Sequence, residues 1–222
     1  MTNDKPQMTN TMETYQGQFG QFTITDEDRR GVIIYRAALT VAALSFALGA
    51  GLVLWPGDQS WALHLLTPLY ACFCLGLGIS LLMIHIYMVL LHRVLQIFWV
   101  VGTIAALTLA LSQPEPLALL VYQQPLSLLG IGFTFAALTG IFFKEAFCFD
   151  RLETKFLTPL IPLLLLAHLV GALPPQLGKV GLGLWAVLFL VFALRKVIQP
   201  IPPDIGDKSV FMYLEAQRSA KA

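Results

Sequence analysis

Charged residues are so unevenly spread along this chain that they divide it into long apolar runs. Uncharged stretches cover 37–57, 59–92, 94–114, 116–143, 156–178 and 180–194. An α-helix rises about 1.5 Å per residue and bilayer hydrocarbon is about 30 Å thick, so about 20 apolar residues make one crossing. Five of the runs reach that length. The sixth, 15 residues between Lys179 and Arg195, is flanked by cations whose aliphatic stems can carry their charge to the interface. The pattern predicts an all-α polytopic membrane protein with six transmembrane helices.

Turn chemistry places the ends of these helices. Thr25 and Asp28 in ITDEDRR have the spacing of a capping box, and Asp26, Glu27 and Asp28 suit a helix N-terminus. Helix one is expected over 31–55, stopping at Pro56-Gly57-Asp58. Helix two is expected over 61–91. Neither glycine nor proline occurs between Gly78 and Gly102, so the turn into helix three is set at His92-Arg93, where polarity returns. Helix three should end near Ser112, helix four should run from Leu117 or Leu126 to Phe143, helix five from Phe156 to Leu173, and helix six from Val180 to Ile198. Residues 1–24 are polar and read as a mobile tail, 25–199 as the membrane domain, and 200–222 as a second tail in which SVFMYLEAQ forms a short interfacial helix. The first apolar run is longer than the core of a signal peptide, so it is expected to be retained.

Composition agrees with the pattern: 57% of the 222 residues are hydrophobic and 12% charged, where soluble domains carry about 25% charge. A net charge of +1 without a basic cluster gives no reason to expect nucleic acid. The cations are distributed by side. Thirteen of the 14 Lys and Arg fall in the two tails and the even-numbered connections, or in the helix ends beside them, and only Lys179 falls on the other side. By the positive-inside rule both termini are cytoplasmic or stromal. That orientation puts Trp55, Trp61 and Trp185 towards the outer interface and Tyr35, Tyr87 and Trp99 towards the inner one. Small residues recur every four positions at Ala43, Ala47 and Gly51, at Cys72, Gly76 and Ser80, and at Gly132, Ala136 and Gly140. Such stripes allow close helix crossings or a partner's approach.

Few residues in this chain can carry chemistry. The thiols of Cys72 and Cys74 point about 200° apart on a helix and do not converge on one ion. His85 and His92 share a helix face about 10.5 Å apart along the axis, too far to be the two axial ligands of one haem. His85 lies about two turns inside the membrane and His168 lies in the outer half of helix five, so these two are the candidate ligands for a haem, a chlorin or a quinone. A pairing of His168 with His64 at similar depth is the other arrangement considered. His92, Arg93, Lys144, Glu145, Cys148, Asp150 and Arg151 mark the polar inner surface as a candidate partner-binding face, with residues 143–155 read as a solvated amphipathic connector. No motif of phosphate, zinc or nucleophilic chemistry is present, and no metal site is expected.

In IYRAAL, IHIYMVLLHR, GIGFTFAALTGIFFKEAFCF and ETKFLTPLIPLLLLAHL the chain resembles an uncharacterised family of integral membrane proteins, a domain of unknown function found in cyanobacteria and plastids. The likeness spans residues 31–200. It implies a thylakoid or cyanobacterial plasma membrane and lends no activity, so no role passes to His85, His92, Arg93, Lys144, Glu145, Cys148 or His168. The leading expectation is a non-enzymatic binding, scaffold or assembly factor for a photosynthetic-membrane complex. A histidine-based cofactor carrier and a small-solute channel or transporter are the alternatives.

Overall fold

A computed structural model describes residues 13–55, 59–86 and 88–220. Six of its helices are long and apolar enough to cross a membrane. They are α1 (Asp26–Leu54), α2 (Ser60–Met83), α3 (Val89–Ser112), α5 (Leu128–Phe149, extended backwards by a 3-10 turn at Pro125–Ser127), α6 (Leu152–Leu169) and α7 (Pro175–Ile198). A short helix α4 (Leu117–Gln123) precedes α5, and α8 (Pro202–Ile205) and α9 (Ser209–Ser219) follow α7. In hydrocarbon every backbone N–H and C=O must be paired within the segment, which helices achieve and loops do not. The turn expected at Pro56-Gly57-Asp58 and the ring of Tyr87 lie outside the described residues.

Several helix ends differ from expectation. The chain leaves α2 at Met83, eight residues early, and the backbones of Ile84 and Met88 are extended before α3 begins at Val89. His92 and Arg93 therefore sit inside α3 rather than in the turn. The reason is tertiary: in an extended segment alternate side chains share a face, and Ile84 and Ile86 are both buried, at 4% and 8% exposure. On a helix they would point about 200° apart. Six residues past Phe143, α5 ends at Phe149, and its C-cap Asp150 has a left-handed backbone at φ 48°. α6 starts four residues before Phe156 and ends at Leu169, while Pro175 occupies the first turn of α7, where its missing N–H costs nothing. Most of the 143–155 stretch is thus helix end, not solvated connector.

The bundle, residues 33–199, packs around an aromatic centre. Phe46 of α1 meets Trp185 of α7 edge-on with centroids 4.1 Å apart, and Phe73, Phe135, Phe142 and Phe189 surround them. Trp185 is completely buried, not at the outer interface, because it lies in the stripe Gly181, Trp185, Phe189, Phe192, Lys196 that α7 turns inward. Trp55 and Trp61 are exposed, as interfacial rings prefer. Two of the small-residue stripes serve internal crossings. A Cβ on Gly76 would lie 2.7 Å from the carbonyl oxygen of Ala38, and one on Gly140 would collide with Leu95. Gly102 likewise leaves room for the backbone of Thr134. Gly51 and Gly132 face open space.

A second compact unit is built from the two terminal segments, residues up to Val32 and from Pro200. Where a mobile tail was expected, Thr14–Gln16 (β1) and Gln21–Thr23 (β2) form an antiparallel hairpin with Tyr15 opposite Phe22. Ile24, Val32 and Ile205 are buried together, with Tyr15, Phe22 and Ile201 against them. The apolar residues of the first segment are too few to order it alone, and partners about 180 positions further on supply the missing contacts. Asp207 fixes the join: one carboxylate oxygen accepts the Gln18 N–H at 2.6 Å and the other accepts from Ser209 N and Oγ at 2.9 and 2.6 Å. Phe19 stacks on Tyr213 at 4.1 Å. The capping box forms as expected, Thr25 N donating to Asp28 at 2.8 Å and Asp28 N to Thr25 Oγ1 at 3.2 Å, and Lys208 pairs with Asp28 at 2.7 Å.

The bonds from Gln18 N–H and then Ser209 hold the Asp207 carboxyl below its usual range. A carboxyl depressed on folding contributes stability above its unfolded pKa of about 4, and that contribution is lost as pH falls through the folded value. Amide exchange protection at Gln18 and Ser209, corrected for intrinsic rates, should therefore hold at neutral pH and decline below about pH 4. In Asp207→Asn the protection should be low throughout and insensitive to pH.

Candidate functional site

Two adjacent charged pairs, Lys144-Glu145 and Arg195-Lys196, lie near the ends of α5 and α7, and helix phase decides which member of each faces inward. Glu145 continues the buried stripe Thr134, Ala137, Leu138, Ile141, Phe142. Lys196 continues the stripe of Trp185, Phe189 and Phe192. Both side chains are completely buried, and Lys196 Nζ donates to Glu145 Oε2 at 2.8 Å. Lys144, nearly buried, donates to Glu145 Oε1 at 2.9 Å. Lys196 also lies 4.6 Å from the centroid of Phe149 and 5.6 Å from that of Tyr35, so the rings' negative faces replace part of its lost hydration.

A second layer surrounds this pair. Arg195 binds Glu153 at 2.7 Å, linking α7 to the first turn of α6. Arg151 donates to the side-chain oxygen of Gln199 at 2.5 Å, and Arg36 of α1 donates to the Gln199 carbonyl at the same distance. Asp150 is exposed and pairs with Lys155 at 2.5 Å. Of the residues expected to bind a partner, Lys144, Glu145, Asp150 and Arg151 thus converge on one end of the bundle. Glu145 and Arg151 are turned inward there rather than offered outward, and Cys148 remains exposed in the last turn of α5. Reading the sequence as side-by-side charges missed Lys196, Glu153 and Arg195. The signal was present in the apolar stripes, whose phase carries onto Glu145 and Lys196.

The histidines are dispersed. His85 is half-buried in the extended link after α2. His168, in the last turn of α6, stacks on Tyr122 with centroids 5.4 Å apart. Because successive spanning helices alternate in direction, the end of α2 and the end of α6 lie at opposite ends of the bundle, so His85 and His168 cannot hold one group between them. His64 places Nδ1 2.7 Å from the Ser60 carbonyl. Among the described residues no group of three or more His, Cys, Asp or Glu side chains could hold a metal ion. Cys72 is exposed and Cys74 buried, on different sides of α2 as expected. His92 and Arg93 have a structural setting: His92 Nε2–H donates to the Leu81 carbonyl at 2.6 Å, and Gln96 Nε2 approaches the same oxygen at 3.4 Å. Arg93 is exposed. The sequence also gave no warning of a polar contact deep in the bundle, where Tyr70 donates its hydroxyl to Thr134 at 3.1 Å.

Residues 79–213, from the last turn of α2 into α9, match the model of an uncharacterized integral membrane protein family, DUF2301. The chain belongs to this family. No curated protein and no solved structure matches it. The matched span of this DUF2301 protein contains every member of the buried charge cluster except Tyr35 and Arg36, together with the 84–88 link and its His92 cap.

Ending α2 at Met83 leaves the Leu81 carbonyl without its helical donor, and His92 supplies one. Replacing His92 by Ala should lower stability by about 1 kcal/mol, the usual worth of one such bond. Denaturant unfolding in detergent micelles reads this. His92→Gln, which keeps a donor, should recover part of the loss.

Proposed function

We infer that this DUF2301 protein is a non-enzymatic membrane protein that holds a partner of a larger membrane complex, and that it does so through the unit made by its two terminal segments. The observation that carries this reading is that unit itself. Residues from both ends of the chain close one small core, and the surface they build presents Phe19, Met212, Tyr213 and Leu214 to the outside. A groove of about 450 Å³ runs between β2 and α9, lined by residues that include Phe22, Lys208, Phe211 and Glu215. An apolar groove with one cation and one anion at its edge suits a protein segment of mixed character. The charge network of the bundle gives further support, because ion pairs locked inside the bundle fix helix ends in place without offering a reaction centre.

The positive-inside rule assigns the terminal unit to the cytoplasmic or stromal side. The resemblance to proteins of cyanobacteria and plastids favours a thylakoid or plasma membrane, and with it a partner among the complexes of a photosynthetic membrane. A membrane of that kind, gently solubilised and resolved by native electrophoresis, should show the chain migrating well above its own mass of 24.5 kDa. Met212→Glu with Leu214→Glu, both exposed on α9, should return it to the mass of the free protein in its detergent micelle. A wild-type chain that always migrates alone would end this reading.

A further inference from the structure

One long side of β2 is unpaired. Among the described residues the terminal sheet has two strands, and only β1 lies beside β2. Gly17 N–H donates to the Gly20 carbonyl at 2.8 Å, which makes those two a bonded pair at the tip of the hairpin. Opposite residues of an antiparallel ladder alternate between bonded and unbonded pairs, so Tyr15 and Phe22 exchange hydrogen bonds, while Gln16 with Gln21 and Thr14 with Thr23 do not. The N–H and C=O groups of Gln21 and Thr23 therefore point away from β1. None of the described residues bonds to them there. β2 reads Gln-Phe-Thr in unbroken register, without the charges, prolines or bulges by which edge strands discourage pairing.

The groove of the terminal unit follows this edge. Gln21, Phe22 and Thr23 all line it, and three successive residues of a strand do not share one face of a sheet, so the groove runs along the strand's side rather than over its surface. The opposite wall is Lys208 at the entry to α9, then Phe211, Met212 and Glu215, which share one side of that helix. The two charges differ in their surroundings. Lys208 is matched by Asp28 at 2.7 Å, whereas the exposed Glu215 carboxylate makes no ion pair with a described residue. The groove thus offers an extended backbone a row of donors and acceptors, and offers a side chain one uncompensated negative charge.

We propose that the partner is held by strand addition, an extended basic segment of it pairing with the free edge of β2 and lying against α9. Its backbone exchanges hydrogen bonds with Gln21 and Thr23, an apolar side chain lies on Met212, and a Lys or Arg meets Glu215. In this mode main-chain bonds supply affinity and the flanking side chains select the sequence. A helix of the partner cannot substitute, because its backbone groups are already paired within it. The proposal rests on the reading that the terminal unit holds a partner, and it names the form in which the partner's chain arrives.

The test uses the full chain in the complex recovered by gentle solubilisation, with amide exchange read residue by residue. Exchange at Gln21 and Thr23 should be slower in the complex than in the free chain by about fivefold or more, the worth of one backbone hydrogen bond. Phe22, already bonded to Tyr15, should change less. Thr23→Pro removes an outward N–H that the hairpin does not use, as edge strands tolerate, and should return the chain to the mass of the free protein on native electrophoresis. Protection at Gln18 and Ser209 in that variant reports whether the terminal unit is still folded. Thr23→Val, which keeps the N–H, should stay in the complex, and Glu215→Gln should lower the bound fraction about threefold, since exposed ion pairs are weak. If Gln21 and Thr23 exchange as fast in the complex as outside it, or if Thr23→Pro still assembles, strand addition is overturned while partner binding stands by another route. The exchange comparison on wild type decides this even where Thr23→Pro unfolds the unit. An unchanged bound fraction in Glu215→Gln, or a complex made only of copies of this chain, overturns the basic segment. A wild-type chain that migrates alone ends the reading of the terminal unit and this proposal together.

Discussion

Lys196 and Glu145 are two opposite charges with no exposed side-chain surface, inside a bundle whose other large buried residues are aromatic and aliphatic. Removing either ion from water is costly by several kcal/mol, and the mutual attraction offsets that cost only if the geometry is good and the remaining donors find acceptors. Here the second lysine and two aromatic rings are among the groups that surround the pair. The consequence is mechanical. Hydrophobic surface alone does not fix one transmembrane helix against another, because lipid tails are as apolar as leucine. A buried ion pair does fix them: rotation of α7 or α5 by one residue would separate the two charges and leave one buried without its partner.

The remaining contacts at that end follow from the same constraint. Once α5 is held through Glu145, its last turn carries Phe149 beneath the lysine, and the left-handed Asp150 lets the chain reverse at once into α6. The tight reversal brings Glu153 to Arg195 and Arg151 to Gln199, so α6 is tied to the end of α7. Tyr35 and Arg36 tie α1 to the same place. At the other end the Leu117 N–H donates to Thr67 Oγ1 at 3.2 Å, joining α4 to α2.

The number and approximate position of the spans were legible because bilayer thickness imposes a length that runs of uncharged residues reveal. Their ends were less so. Glycine and proline mark some turns, but the α2–α3 link has neither; it forms because Ile84 and Ile86 both find the core in extended chain and because His92 replaces a lost backbone donor. The inward charges at α5 and α7 could have been anticipated by extending each apolar stripe one more turn. The hairpin at 14–23 could not, since Tyr15, Phe22 and Gln18 depend on Ile201, Ile205 and Asp207, and nothing local in either segment announces the other.

The measurement that bears most directly on this account is a double-mutant cycle on Glu145→Gln and Lys196→Met, with unfolding followed in mixed micelles. If the buried pair organises the bundle, each single variant should lose about 3–5 kcal/mol, because it strands the opposite charge, and the double variant should lose far less than the sum. Additive losses would mean that the two side chains do not interact in the folded protein, and the architecture drawn around them would be wrong.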